Sequence, residues 1–547
     1  MHTSETTWKR RLLSWQPSLS GLVVGLAFLA GSLVPGMLPR PWQVQGVVSA
    51  IGLAVGYGVG AMAASLWHRF RRGPEISRPT ALAMLIPPTL LIIWALVIHS
   101  IWRVDVASLM DTDLTLLPYL FLVLVVAFVL AFVLVQLGRG IHAVLRSLRR
   151  LLGRVVPGWL AAAATVLTAS VLVILFFDLV VAGRLVPAIE EAHRTSDHRF
   201  EPGLVPPDSD SLAGSPESLI DWETMGSQGR AFVAQTPTPN ELETFSGEAP
   251  FEPVRVYVGL ESAPDAETRA ALAVDEMERA GAFDRAVIVL IAPTGSGWVD
   301  PYAIDGIEYM YNGDTAAVAV QYSYLASWMV LIGNQDLAVE ATHALLNGVT
   351  ARLGRLPEQD RPTLLLYGES LGAFGWERLF DDLDEVVETV DGALWVGPPR
   401  FGRLWQSLVS NRDAGTPVWQ PVYQRGQTVR FGADGEALAA PTGQWDPPRV
   451  AYLQHPSDPI TWWTTELMFR RPEWLDPPRG SDISRHMPYL PVVTFWQLAV
   501  DLAVGTNAPP GHGHKFGSAQ PEAWSLIAPP VVWTTEDTGR LVALFDE

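Results

Sequence analysis

At 547 residues the chain has room for two or three domains. Hydrophobic residues make up 49% of it and its mean hydropathy is +0.20, which is high for a soluble protein and points to membrane segments. It has no cysteine, which excludes disulfides and thiolate metal sites, and its net charge of −19 argues against nucleic acid as a partner.

The charge is unevenly divided. Through residue 185 there are 15 Lys and Arg against 6 Asp and Glu, whereas the remainder carries 23 against 51. The two parts therefore face different surroundings. Five apolar stretches occupy the first part, at roughly Leu19–Met37, Val44–Leu66, Ala81–Ile101, Leu114–Val135 and Pro157–Val181. Each is near the ~20 residues that cross a bilayer. Lys9, Arg10 and Arg11 precede the first stretch. Arg69, Arg71, Arg72 and Arg78 separate the second from the third, and Arg139, Arg146, Arg149, Arg150 and Arg154 separate the fourth from the fifth. The alternate loops are poor in charge or acidic. The positive-inside rule then places the N-terminus in the cytoplasm and everything after about residue 185 outside. The expected setting is a multi-pass protein of the cytoplasmic membrane. Gly140–Gly153 reads either as an interfacial helix or as a charged topology loop. Residues 186–253 are rich in Pro, Ser and acid and read as a linker with some local structure, with a less polar stretch, Ser218–Val233, able to pack on the domain beyond it.

From residue 254 to 547, short apolar runs alternate with helix-like segments. Strands are predicted at Arg255–Gly259, Arg285–Ala292, Ala316–Tyr322, Thr363–Tyr367, Gly392–Val396, Thr428–Phe431 and Val450–Leu453, and helices at Pro264–Ala280 and Asp336–Leu353. Continuously apolar strands are buried on both faces, so the fold class is α/β with a mostly parallel sheet. In such sheets the functional site lies at the carboxyl ends of the strands.

Gly368-Glu369-Ser370-Leu371-Gly372 sits between the strand Thr363–Tyr367 and a helix-like run. This is G-x-S-x-G in a strand–turn–helix context, with Ser370 as candidate nucleophile and the Leu371 N–H as candidate oxyanion donor. The earlier strand end at Pro293-Thr294-Gly295-Ser296-Gly297 offers Thr294, Gly295 and Ser296 as further oxyanion-hole candidates. Tyr322, Tyr324 and Trp328, after the next strand, are candidates for an apolar substrate pocket. In this architecture an acid and then a histidine come after the nucleophile. Asp458 lies in the loop Gln454-His455-Pro456-Ser457-Asp458-Pro459, just past a late strand. His512 and His514 lie in Gly511-His512-Gly513-His514, near the chain end. Of the two, His514 is the preferred base and His512 is close behind, with His486 as an outsider. A metal reading of His512 and His514 needs further ligands that the sequence does not identify, so neither metal nor cofactor is expected.

Residues from about Gly214 to the end resemble an actinobacterial-type family of integral-membrane α/β-hydrolase-fold proteins, and the apolar N-terminal region is similar to the one that accompanies this domain. The resemblance rests on Gln228-Gly229-Arg230-Ala231-Phe232-Val233, Pro293–Trp298, Gly313-Asp314-Thr315-Ala316, Gln321–Leu325, Gly368–Gly372, Gln454–Ile460 and Gly511–His514. Where the family usually reads Leu-Pro-Ser-Trp, this chain has Leu325-Ala326-Ser327-Trp328. The resemblance implies the α/β-hydrolase fold, the membrane setting and Ser370 as nucleophile, and no particular substrate. The expected function is a membrane-anchored serine hydrolase forming an acyl-enzyme on a lipid or envelope ester. An acyltransferase using the same triad, or a non-catalytic binding or transport-accessory protein on a hydrolase scaffold, are the alternatives.

Overall fold

The computed structural model describes residues 18–70, 77–175, 178, 179, 183, 184 and 186–546. The chain divides into two compact units. The first comprises Met1–Ala182 with Ser484–Gln497, and the second comprises Gly183–Ile483 with Leu498–Glu547.

In the first unit, helices α1 (Leu19–Ser32), α2 (Trp42–Phe70), α3 (Arg78–Leu109), α4 (Leu116–Leu152) and α5 (Gly158–Leu175) coincide with the apolar stretches. Three of them, α2, α3 and α4, are long and apolar enough to cross a membrane; α1 and the apolar part of α5 are shorter. Part of the fifth stretch, at residues 176, 177, 180 and 181, lies outside the described residues. α1 and α2 pack through small residues. A Cβ on Gly60 would lie 2.3 Å from the Ser20 carbonyl oxygen, one on Gly56 2.8 Å from Phe28, and one on Gly25 2.9 Å from the Leu53 carbonyl oxygen. In lipid, where apolar side chains gain little by leaving their surroundings, such close approach is a main source of helix association. The same unit buries a polar cluster. Gln45 Nε2 donates to Ser32 O at 2.8 Å and Arg40 donates to Gln497 O at 2.7 Å, while Gln497 Nε2 donates to Ser32 O at 3.1 Å. Ser484 Oγ donates to Asp105 at 2.6 Å. The stretch Ser484–Gln497, remote in sequence, is thus hydrogen-bonded into the helical unit.

The second unit is built on a seven-stranded sheet: β1 (Val254–Val258), β2 (Val287–Ala292), β3 (Thr315–Val320), β4 (Thr363–Glu369), β5 (Gly392–Val396), β6 (Val429–Gly432) and β7 (Arg449–Leu453). Their order is β1-β3-β2-β4-β5-β7-β6 and every pairing is parallel. Almost every strand residue is buried, which is why the strands read as unbroken apolar runs and not as alternating ones. Helices Ala266–Arg279 and Asp336–Leu353 match the predicted spans closely. Register sets the level of the site. Ala292 pairs with Gly368, Glu369 with Val396, and Val396 with Leu453, so β2, β4, β5 and β7 end together.

The segment expected as a linker carries structure of its own. Val186–Asp197 and Gly226–Ala234 are helical, and Leu212 bridges to Arg255 of β1. Asp197 accepts from the Ser227 N–H at 3.1 Å, and buried Arg230 donates to the Asp197 carbonyl at 3.1 Å. Its Pro- and acid-rich composition concealed these anchors because each pairs with a residue distant in the chain.

Candidate active site

Ser370 lies one residue past β4 with φ 56° and ψ −118°, and the helix Leu371–Glu377 begins immediately after it. A positive φ on a non-glycine residue is costly and is tolerated where the surroundings over-determine it. Here the Ser370 N–H donates to Val396 O at 2.7 Å, tying the turn to β5. Gly372 makes the tight turn possible, since a Cβ there would sit 2.1 Å from the Ala292 carbonyl oxygen at the end of β2. Ser370 is 2% exposed. Leu371 stands at the first position of its helix, where a backbone N–H has no intrahelical acceptor.

The acid and base meet at the same level. Asp458 caps the short helix Pro459–Trp462. Its Oδ1 accepts from the Ile460 N–H at 2.9 Å, and its Oδ2 accepts from Thr461 Oγ1 at 3.3 Å and from His514 Nδ1 at 2.7 Å. The ring's other nitrogen, Nε2, is buried and makes no hydrogen bond. That arrangement fixes the tautomer. Nδ1 carries the proton toward Asp458, and Nε2 is left as the lone pair. Burial disfavours the charged ring, but Asp458, and then Glu369, outweigh it and hold the His514 pKa above the usual histidine value. Gly397, one residue past β5, seats the pair. Its φ is +53°, and a Cβ there would lie 2.5 Å from His514 Cε1 and 2.9 Å from Asp458 Oδ2.

His512 points elsewhere. Its Nδ1 is 3.3 Å from Asp482 Oδ2, which also accepts from Ser457 Oγ. Ser457 in turn accepts from the Gly513 N–H at 2.8 Å, and His455 Nδ1 donates to Gly513 O at 2.9 Å while its ring stacks on Phe516. These bonds join the loop that carries Asp458 to the loop that carries His514, one residue from each. His486 lies in the segment belonging to the first unit, where its Nε2 accepts from Arg485 Nε at 3.2 Å.

The other predicted residues are placed differently from one another. The Thr294 N–H donates to Trp298 O at 2.9 Å and the Gly295 N–H to Ser327 Oγ at 2.9 Å, so the loop after β2 closes on itself and both N–H groups are engaged. The Ser296 hydroxyl is 3.4 Å from that of Thr294. Tyr322 is buried in an apolar cluster with Leu371 and Phe374, and its hydroxyl donates to Pro293 O at 3.0 Å. It buttresses the loop beside the nucleophile. Tyr324 donates to Glu261 at 3.2 Å. Trp328 falls in the helix Ser327–Gly333, and its side chain lies outside the described residues.

Glu369, the variable position of the G-x-S-x-G, is not among the residues predicted from the sequence. Its carboxyl is buried, with Oε1 4.0 Å from His514 Nε2 and Oε2 3.3 Å from the Tyr367 hydroxyl. Burial, and then the charge of Asp300, push it up to about 8 against the pull of His514 and Tyr367.

The profile of an alpha/beta-hydrolase family matches residues 254–541, the span that holds the sheet and all of these loops. This chain belongs to the alpha/beta-hydrolase family. A second profile, described as the N-terminus of an alpha/beta-hydrolase family, matches residues 33–237 and so covers α2 to α5 and most of the structured segment after them. No curated protein and no solved structure matches the chain. The α/β-hydrolase scaffold explains why β2, β4, β5 and β7 end at one level: their loops are where such a fold keeps its chemistry.

Proposed function

We propose that this α/β-hydrolase is a membrane-anchored serine hydrolase that forms an acyl-enzyme on an ester of the membrane or cell envelope. The observation that carries the reading is the unpartnered, buried Nε2 of His514, backed by Asp458 at 2.7 Å, at the level of a strained Ser370. His514 takes the Ser370 proton as Oγ attacks the ester carbonyl, and Asp458 stabilises the imidazolium that forms. The Leu371 N–H receives the developing oxyanion. Protonated Nε2 then gives its proton to the leaving alcohol, and water repeats the sequence to release the acid. In the resting geometry Nε2 is not bonded to Ser370. Catalytic hydrogen bonds of unliganded enzymes commonly tighten only when substrate arrives. The membrane or envelope ester is inferred from the topology that the sequence predicts: five spans, a cytoplasmic N-terminus and a hydrolase unit on the outer side.

Fluorophosphonate labelling of the full-length protein in detergent tests the reading. Ser370→Ala abolishes labelling, and Asp458→Asn and His514→Ala slow it by roughly 1,000-fold or more. His512→Ala slows it far less, because His512 supports the loop and does not face the nucleophile. A folded wild-type protein that does not label would overturn both hydrolase and acyltransferase chemistry at Ser370.

A further inference from the structure

Two carboxyls face the imidazole of His514 from opposite sides. Asp458 holds Nδ1 at 2.7 Å, and Glu369 Oε1 stands 4.0 Å from Nε2. Only the first is part of the chemistry already described. The second is 5% exposed and is held at the end of a buried polar chain. Gln520 Nε2 donates to Asp300 Oδ2 at 2.6 Å, which orients the Gln520 amide, and its Oε1 then lies 2.7 Å from the Tyr367 hydroxyl. An amide oxygen can only accept, so the Tyr367 hydroxyl is the donor between them. The same hydroxyl lies 3.3 Å from Glu369 Oε2 and faces it as a donor. Glu369 Oε2 is thus held on the Tyr367 side, and Oε1 faces Nε2.

We propose that Glu369 is a positioning residue for the base: fixed by Tyr367 and Gln520, its Oε1 presents negative charge density to His514 Nε2 and stabilises the imidazolium formed when the Ser370 proton is transferred. The proposal rests on the serine-hydrolase reading above. In the step itself the Ser370 O–H bond breaks and its proton goes to Nε2. Oγ bonds to the carbonyl carbon, and the carbonyl π pair moves onto oxygen. The imidazolium of His514 and the Tyr367 hydroxyl draw Glu369 toward its charged form. The groups facing Glu369 come from four elements: Tyr367 from β4, Asp300 from the loop after β2, Asp458 from the loop after β7, and His514 from the C-terminal loop. Burial and Asp300 favour the neutral carboxyl, and Lys515 acts on Asp300 in turn. Glu369 also raises the His514 pKa, so it sets the pH at which the base becomes available as well as how strongly the base holds its proton.

The test is the pH profile of fluorophosphonate labelling of the full-length protein in detergent, between about pH 5 and 9. Glu369→Gln keeps the size of the side chain and removes the acid. The expected result is an acid limb displaced to lower pH together with a plateau rate reduced about tenfold, because a less basic imidazole is a weaker general base. Tyr367→Phe removes the hydroxyl that lowers the Glu369 pKa, so the limb moves in the same direction and the plateau falls by less, about threefold. A rate loss in both variants with an unmoved acid limb means a purely structural role and overturns the proposal, as does an unchanged profile. If Glu369→Gln fails to fold, the Tyr367→Phe limb decides alone. Absence of labelling in the wild type sinks the serine-hydrolase reading first, whereas wild-type labelling with unmoved limbs sinks only the role of Glu369.

Discussion

Gly397 illustrates how closely the candidate base is seated. Its Cβ would meet His514 Cε1 at 2.5 Å and Nδ1 at 2.7 Å, and its backbone already has φ +53°. Gly397→Ala must push the ring off Asp458, and a displacement of about 1 Å is worth roughly 100-fold in rate. The expected outcome is a fluorophosphonate labelling rate down by about that factor, with a melting temperature lowered by only a few degrees. At this scale Ser370, Asp458, His512 and His514 were legible as candidates because each sits in a local pattern, a G-x-S-x-G or a turn just past a strand or near the chain end. The pattern could rank His512 and His514 but not separate them. What separates them is which carboxylate each meets, Asp482 or Asp458, and both meetings join residues at least 30 positions apart. Glu369 was in plain view beside the nucleophile, yet nothing in its neighbours tells that β4 turns its side chain toward a histidine 145 residues on. The Thr294 and Gly295 N–H groups were nominated by loop position; the bonds to Trp298 and Ser327 that engage them are visible only in three dimensions.

Among the elements, the strands of the sheet were legible almost to the residue. A parallel strand buried on both faces must be apolar throughout, and that demand leaves its mark on the sequence. The structured segment between residues 186 and 253 was not, since its helices are short and their anchors lie in β1 and the loop after β3. The α1–α2 pair carries a different kind of signal. Gly52, Gly56 and Gly60 recur at four-residue spacing on α2, and Gly60 meets the backbone of Ser20. A leucine at Gly60 has nowhere to go without moving α1. Gly60→Leu is expected to destabilise the full chain by about 1–3 kcal/mol, read as a lowered thermal midpoint in detergent. An unchanged midpoint would mean that α1 and α2 do not pack through this face.

For the whole molecule, the chain does not divide at a single point. It leaves the hydrolase unit after Ile483, gives Ser484–Gln497 to the helical unit, and returns at Leu498 before reaching His514. The proposed topology is directly testable because the protein has no cysteine of its own. Asp381, whose side chain is 81% exposed, and Arg146, on the Arg-rich end of α4, supply single-cysteine sites. Asp381→Cys in intact cells should react with a membrane-impermeant maleimide, and Arg146→Cys should react only after permeabilisation. The reverse pattern would invert the orientation.

By itself, the sequence determined what depends on neighbours along the chain: the apolar stretches and their flanking arginines, the buried strands, and a serine turn with an acid and a histidine pair after it. Those features are properties of short windows, because hydropathy, charge and tight backbone turns are each settled within a few residues. The tertiary structure alone decided that Asp458 meets His514, that Glu369 faces the opposite nitrogen, that Gly397 leaves room for the ring, and that Ser484–Gln497 belongs with the apolar helices of the first unit. Each of these is a hydrogen bond or a steric allowance between residues far apart in sequence, and it exists only once the sheet register has brought the strand ends to one level.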